Sequence, residues 1–218
     1  MAQQGFSGGI GIGVASAQMQ RGLSTSSGKP AAFVDIYGRV DGGWQASLGA
    51  AQWASRPGRA SGEYTLTLSR SQALDDDWFV AAAASHYGGL GGQPARRVAY
   101  DELSLSLAWQ GRAQLLLALS PNWTTTDRNG LVATRRATTI ELSWHETLPE
   151  RWALDAGIGH YDLRAFDRPG YQYASVGASR GFGPLLASIA FVTNRGVSIN
   201  LAPEIRRSRW LLSLWWSY

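Results

Sequence analysis

"RWLLSLWWSY" (209–218) closes the chain with Trp210, Leu212, Leu214, Trp216 and Tyr218 at every second position. Chain ends usually fray and carry polar residues, so an apolar stripe here needs a cover. A period of two is the pleat of a β-strand, which sends Leu211, Ser213, Trp215 and Ser217 to the opposite surface. The cover is either a protein core or lipid, and the rest of the chain decides which.

Similar segments of about ten residues recur from end to end. The alternation predicts strands at 8–20, 31–40, 44–54, 61–70, 78–87, 98–109, 113–123, 136–145, 151–161, 171–180, 184–193 and 209–218. Connections alternate as well. "DGG" (41–43), "SQALDDD" (71–77), "QGR" (110–112), "ETLPE" (146–150) and "GFG" (181–183) are compact and turn-like. Those between them are mostly longer, as in "GGLGGQPARR" (88–97) and "TTTDRNGLVATR" (124–135). Twelve strands, an even number, with tight turns at one end and loops at the other, predict an all-β fold. It is a transmembrane antiparallel β-barrel with short periplasmic turns and long extracellular loops, one domain over 1–218.

Parity assigns the two faces. Ile10, Ile12, Val14, Val34, Ile36, Leu103, Leu105, Leu115, Leu117, Ile140, Leu142 and Ile158 fall on one; Asp35, Glu63, Thr65, Thr67, Glu102, Ser104, Gln114, Glu141 and Asp155 fall on the other. A soluble barrel would put the apolar set inside, whereas a membrane barrel reverses the arrangement. Tryptophan favours the membrane, because indole is apolar in body and polar at its N–H and collects at lipid–water boundaries. Trp44, Trp78, Trp109, Trp144, Trp152 and Trp216 lie beside the short-turn ends on the apolar parity, with Tyr218 joining them. Trp123 and Trp210 lie near the long-loop ends. The closing strand therefore reads as lipid-facing, pairing with the first strand so that no edge is left in hydrocarbon. The inner wall is expected to be polar and partly acidic. Asp35, Glu63, Glu102, Glu141 and Asp155 would line the lumen beside Tyr37, Arg39 and Tyr173, the acids paired with arginine or water.

The absence of cysteine removes disulfides and thiolate metal sites. No apolar run approaches the roughly 20 residues of a membrane-spanning helix. "AQQ" (2–4) reads as the first stretch after a removed export signal. A net charge of +4 raises the question of nucleic acid, but the positive charge gathers at the long-loop end. Arg96, Arg97, Arg135, Arg136, Arg206 and Arg207 mark that extracellular rim, where arginine forks would meet lipopolysaccharide phosphates or draw anions to the mouth. No nucleic-acid partner is expected.

"MQRGLSTSSGKPAAFVDIYGRVDGGWQASLGAAQWAS" (19–55) resembles the start of the TorF-like porins, a proteobacterial family, through Arg21, Gly22, Leu23 and Ser24 and then Gly28, Pro30 and Ala31. "YDELSLSLAW" (100–109) resembles a later strand of the same family. Gln20 stands where the family often has an aromatic residue. The resemblance implies an outer-membrane barrel and a channel. A terminal aromatic behind alternating apolar residues also resembles the signal read by the outer-membrane assembly machinery, which makes that machinery an expected partner.

An enzyme is the rival reading. Barrel lipid hydrolases need a serine–histidine pair or calcium ligands near the outer rim, and His86 and His160 fall there on the outward parity. Neither has a neighbouring serine in a suitable pattern, so both read as interfacial histidines. "GGIGIG" (8–13) lacks the βαβ unit of a dinucleotide site; its glycines leave room for bulky neighbours. No cofactor or metal is expected. The expected function is passage of small polar solutes through the outer membrane. The alternatives are a lipid-modifying enzyme and a closed structural or adhesive barrel.

Overall fold

The computed structural model describes residues 6–56, 59–91, 99–126, 132–166, 169–196 and 207–218. Twelve strands form the wall: β1 (Ser7–Ala15), β4 (Ala31–Val40), β5 (Trp44–Arg56), β6 (Arg59–Ala73), β7 (Trp78–Leu90), β8 (Tyr100–Trp109), β9 (Ala113–Thr126), β10 (Val132–Leu148), β11 (Trp152–Asp162), β12 (Tyr171–Phe182), β13 (Leu185–Arg195) and β14 (Arg209–Ser217). Two short strands, β2 (Met19–Gln20) and β3 (Leu23–Ser24), pair only with each other. Each wall strand is antiparallel to the next, and β14 returns to β1 to close the barrel.

Closure is made by the terminal stretch 209–218. Trp216 lies opposite Ile12 and Leu214 opposite Val14. Beyond the strand, the Tyr218 amide donates to the Ile10 carbonyl (2.9 Å) and the Ile10 amide donates to the Tyr218 carbonyl (3.1 Å). The inner face of β1 is bare glycine, and it has to be. A Cβ on Gly11 would enter the Trp215 ring, and one on Gly13 would meet Phe33.

The exterior is apolar. Leu103 is 57 % exposed and Ile158 59 %, and the other outward positions of the expected set, Val34 apart, are exposed as well. No soluble surface carries so continuous an apolar band, so the outer face is a lipid-facing one. No helix among the described residues is long and apolar enough to cross a membrane; the crossing is made by strands. At the short-turn end Trp109 and Trp144 approach to 6.4 Å between ring centroids, and Trp216 stacks on Tyr218 at 6.1 Å. Arg70 and Arg180 lay their guanidinium groups over Trp44 and Trp152, at 5.5 and 5.2 Å. These rings sit between lipid and water. Trp144→Ala should lower the free energy of urea unfolding by about 1 kcal/mol and leave conduction unchanged, because the ring touches only the outer surface.

Two expectations need correction. The first strand ends at Ala15, not at residue 20; residues 16–30 leave the wall and turn into the lumen. Trp123 faces inward. Between the pairs Ala137–Ser120 and Arg135–Trp123, β9 advances three residues while β10 advances two. The bulge spans Pro121, which has no N–H to give to a ladder, and it reverses the parity of everything after it.

Candidate functional site

Residues 16–30 form a folded insert inside the long-loop half of the barrel. β1 stops where Ser16 takes over its pairing: its amide donates to the Leu212 carbonyl (2.8 Å) and its hydroxyl accepts from the Leu212 amide (3.0 Å). The chain then makes the β2–β3 hairpin, whose two turn residues Arg21 and Gly22 both have positive φ, +47° and +77°. This is the arrangement of a tight primed turn, and Gly22 accepts it at no steric cost. Ser27 and Gly28 repeat the pattern at +55° and +75°.

A buried segment must satisfy its own backbone. Ser24 and Ser26, both fully buried, do so. The Gln18 amide donates to Ser26 Oγ (3.0 Å), Ser26 Oγ to the Lys29 carbonyl (2.7 Å), and the Gly28 amide to Ser24 Oγ (2.8 Å). The serine-rich run "STSS" (24–27) is thus the internal scaffold of the insert.

The hairpin tip docks on the wall opposite β1. Arg21 forms an ion pair with Glu102, both nearly buried, and its guanidinium lies 5.0 Å from the centre of the Tyr161 ring. Burial opposes the arginine charge, but Glu102 outweighs it and holds the pKa above the ordinary arginine value. Glu102 also accepts from Ser120 Oγ (3.1 Å), and Gln20 Nε2 donates to Tyr100 Oη (2.7 Å). Asn194 Nδ2 donates to the Gly22 carbonyl (2.8 Å). Thr25 Oγ1 donates to Glu63 on the other wall at 3.3 Å. Leu23 packs against a buried cluster made of Ala137, Tyr161, Leu163, Tyr171 and Tyr173. The insert therefore bridges the lumen.

Its docking surface is a run of inward aromatic rings. Tyr87 stacks on Tyr100 at 4.5 Å; Trp123 meets Tyr100 edge-on at 4.5 Å and Tyr161 at 5.7 Å; Tyr171 continues at 5.6 Å and Tyr173 at 6.2 Å. Of these rings the sequence reading places only Tyr173 in the lumen. Tyr87, Tyr100, Tyr161 and Tyr171 share the parity of the polar wall, so the same rule would have found them.

The expected lining residues all lie on the inner face of the strand register. Of the arginine or water partners expected for the acids, the described residues show an arginine at Glu102. Glu141 accepts from Tyr173 Oη (2.5 Å), and Asp155 pairs with His145 Nδ1 (2.7 Å) near the short-turn mouth. Arg39 donates to Gln45 Oε1 (3.3 Å), and Tyr37 packs over Gly9. Below the insert the wall carries small polar groups, among them Ser47, Ser69, Ser104, Ser106, Ser143, Ser179, Ser188 and Ser213.

Of the rim arginines, Arg96, Arg97 and Arg206 lie outside the described residues. Arg135 donates to the Ala165 carbonyl (2.9 Å), Arg136 borders a 450 Å³ recess with Thr138, Asp162, Arg164 and Ala165, and Arg207 is exposed. His86 faces outward, as expected, but not alone: its Nδ1 lies 2.7 Å from Asp101 Oδ1, and Asn122 Nδ2 donates to Asp101 Oδ2 (2.7 Å). His160 also faces outward, opposite Ile140 and Gln172. No group of three or more possible metal ligands occurs among the described residues.

No family model matches the chain, and no curated protein does. Solved structures do. The NanC porin in a rhombohedral crystal form is similar at a TM-score of 0.66 and 10 % identity, covering 97 % of this chain and 99 % of that one. The KdgM porin is similar at 0.60 and 12 %, covering 96 % and 99 %. A KdgM porin in complex with disordered oligogalacturonate gives 0.60 and 11 %, covering 96 % and 99 %. At such identities the likeness is one of fold: this chain folds as these porins do over nearly its whole length.

Proposed function

We propose that this protein is a narrow diffusion channel of the bacterial outer membrane, of the TorF-like kind, passing small polar solutes. One observation carries the reading: an apolar exterior encloses a polar lumen that is narrowed by a built element, residues 16–30, rather than filled by a hydrophobic core. Twelve strands spaced about 4.8 Å apart and tilted by about 40° enclose a cylinder roughly 24 Å across, backbone to backbone. The insert lies in the long-loop half of that cylinder, and the serine-lined wall below it is polar. The oligogalacturonate of the KdgM complex supports a solute-passing role for the fold, but the carboxylates here disfavour acidic sugars. The test is single-channel recording in planar bilayers, with discrete openings expected; a silent barrel would overturn the reading.

The rim arginines serve as anchors for lipopolysaccharide phosphates in this reading, and the C-terminal strand engages the assembly machinery. Neutralising Arg96, Arg97, Arg135 and Arg136 together should weaken lipopolysaccharide retention during purification and leave the reversal potential in asymmetric salt unchanged. A shifted reversal potential would instead make the rim an electrostatic funnel, which salt would screen over about 10 Å at 0.1 M.

A second reading, an enzyme acting on outer-leaflet lipid, is favoured by the His86–Asp101–Asn122 network. Ionisable groups on a lipid-facing wall are costly and so call for a use. A carboxylate orienting an imidazole is the base half of a hydrolytic site, with Tyr64 Oη 3.5 Å from the other ring nitrogen. Fatty-acid release from phospholipid vesicles that disappears in His86→Ala, with conductance intact, would establish it.

A further inference from the structure

Between the insert and the wall strands β14, β4, β5 and β6 lies a niche of 340 Å³, bordered by Gln18, Phe33, Asp35, Glu63, Thr65 and Trp215. The geometry points to a binding site for a small organic cation in this niche, one with a flat guanidinium or ammonium head. The inference deepens the channel reading, on which it rests for the route by which the cation arrives.

The niche has a platform and two anionic walls, and each arises from the strand pattern. The platform is Phe33 stacked on Trp215, 5.2 Å between centroids and 17° between planes. Both rings reach over the bare glycines of β1: Trp215 covers Gly11 and Phe33 covers Gly13. Such a face attracts a cation electrostatically, and a planar guanidinium can stack on it.

Asp35 sits in the middle of β4 between two glycines, Gly11 on one neighbouring strand and Gly49 on the other. Glycine has no side-chain donor, so no cross-strand partner reaches its carboxylate. Glu63 is held by neutral donors, the Thr25 hydroxyl at 3.3 Å and the Gln18 side chain, with no arginine or lysine among these partners. Arg21 of the insert is committed across the lumen to Glu102. Two carboxylates without a cation, beside an aromatic face and in a cavity at the lower end of ligand-site size, are complementary to a small ligand that brings the positive charge. A neutral sugar would use the platform and leave Asp35 without a counter-charge.

The probe is agmatine, which carries a guanidinium and an ammonium, with glucose as the neutral control. Titration calorimetry on the detergent-solubilised barrel is expected to show agmatine binding. Asp35→Asn and Glu63→Gln, which keep the shape of the side chains, should each weaken binding about tenfold, and Trp215→Leu about threefold. Heat-modifiable migration on gels confirms that each variant is folded, and two isosteric variants guard against the failure of one. Absence of agmatine binding by the parent, or affinity unchanged in both carboxamide variants, overturns the proposal; glucose binding with equal affinity and equal loss in Asp35→Asn makes the niche a sugar site and overturns it too. Calorimetry needs no conduction, so agmatine binding by a silent barrel would sink the channel and keep the site, while an open channel without agmatine binding would do the reverse.

Discussion

Replacing residues 17–29 with a short glycine–serine turn should raise the single-channel conductance several-fold and leave the barrel folded. Ala15 and Ala31 are already cross-strand partners, so β1 and β4 can be joined by a tight hairpin without disturbing the wall. The insert contributes no strand to the barrel and contacts it from inside only. A milder version of the test is Arg21→Ala. It strips the ion pair from Glu102 and leaves that buried carboxylate with only Ser120 as donor, which should cost docking of the insert about 3–5 kcal/mol. Arg21→Ala combined with Glu102→Gln should cost less than Arg21→Ala alone, because no unpaired charge is then buried. Single-channel records of the variants decide the matter. A deletion whose conductance equals the parent's would show that the insert does not limit flow.

The wall was legible in the sequence, and the insert was not. Strand parity depends only on the pleat, so Leu103 and Glu102 can be sent to opposite faces from their neighbours alone, and the structure has Leu103 exposed and Glu102 buried. What lay beyond reach depended on backbone torsions or on register. Residues 16–20 continue a permissible alternation, and nothing in "SAQMQ" announces that Arg21–Gly22 and Ser27–Gly28 will turn the chain back into the lumen. In retrospect those two pairs, each ending in glycine, were the signal. Trp123 followed the rule until the Pro121 bulge inverted it. The partner of His86 could not be read locally either, because Asp101 lies 15 residues on and becomes adjacent only through the β7–β8 register. Asp35 is the converse case. Its lack of a partner follows from Gly11 and Gly49, which become its neighbours only once three strands are aligned.

The parity itself predicts a sharp contrast between adjacent residues of β9. Leu117 faces outward between Leu105 and Ile140 and is 46 % exposed, whereas Leu116 faces the lumen between Ser106 and Glu141. Leu117 stands four residues from the start of its strand, about 10 Å up an apolar band some 25 Å tall. Leu117→Arg should therefore cost about 2–4 kcal/mol of barrel stability, the penalty of an arginine near the bilayer midplane. Leu116→Arg places the same side chain in water beside Glu141. It should leave stability nearly unchanged and shift the reversal potential in asymmetric salt toward anions. Urea unfolding in lipid vesicles measures the first effect and bilayer recording the second. Equal destabilisation by both substitutions would mean that the inner wall is as dry as the outer one, and a dry inner wall would remove the channel.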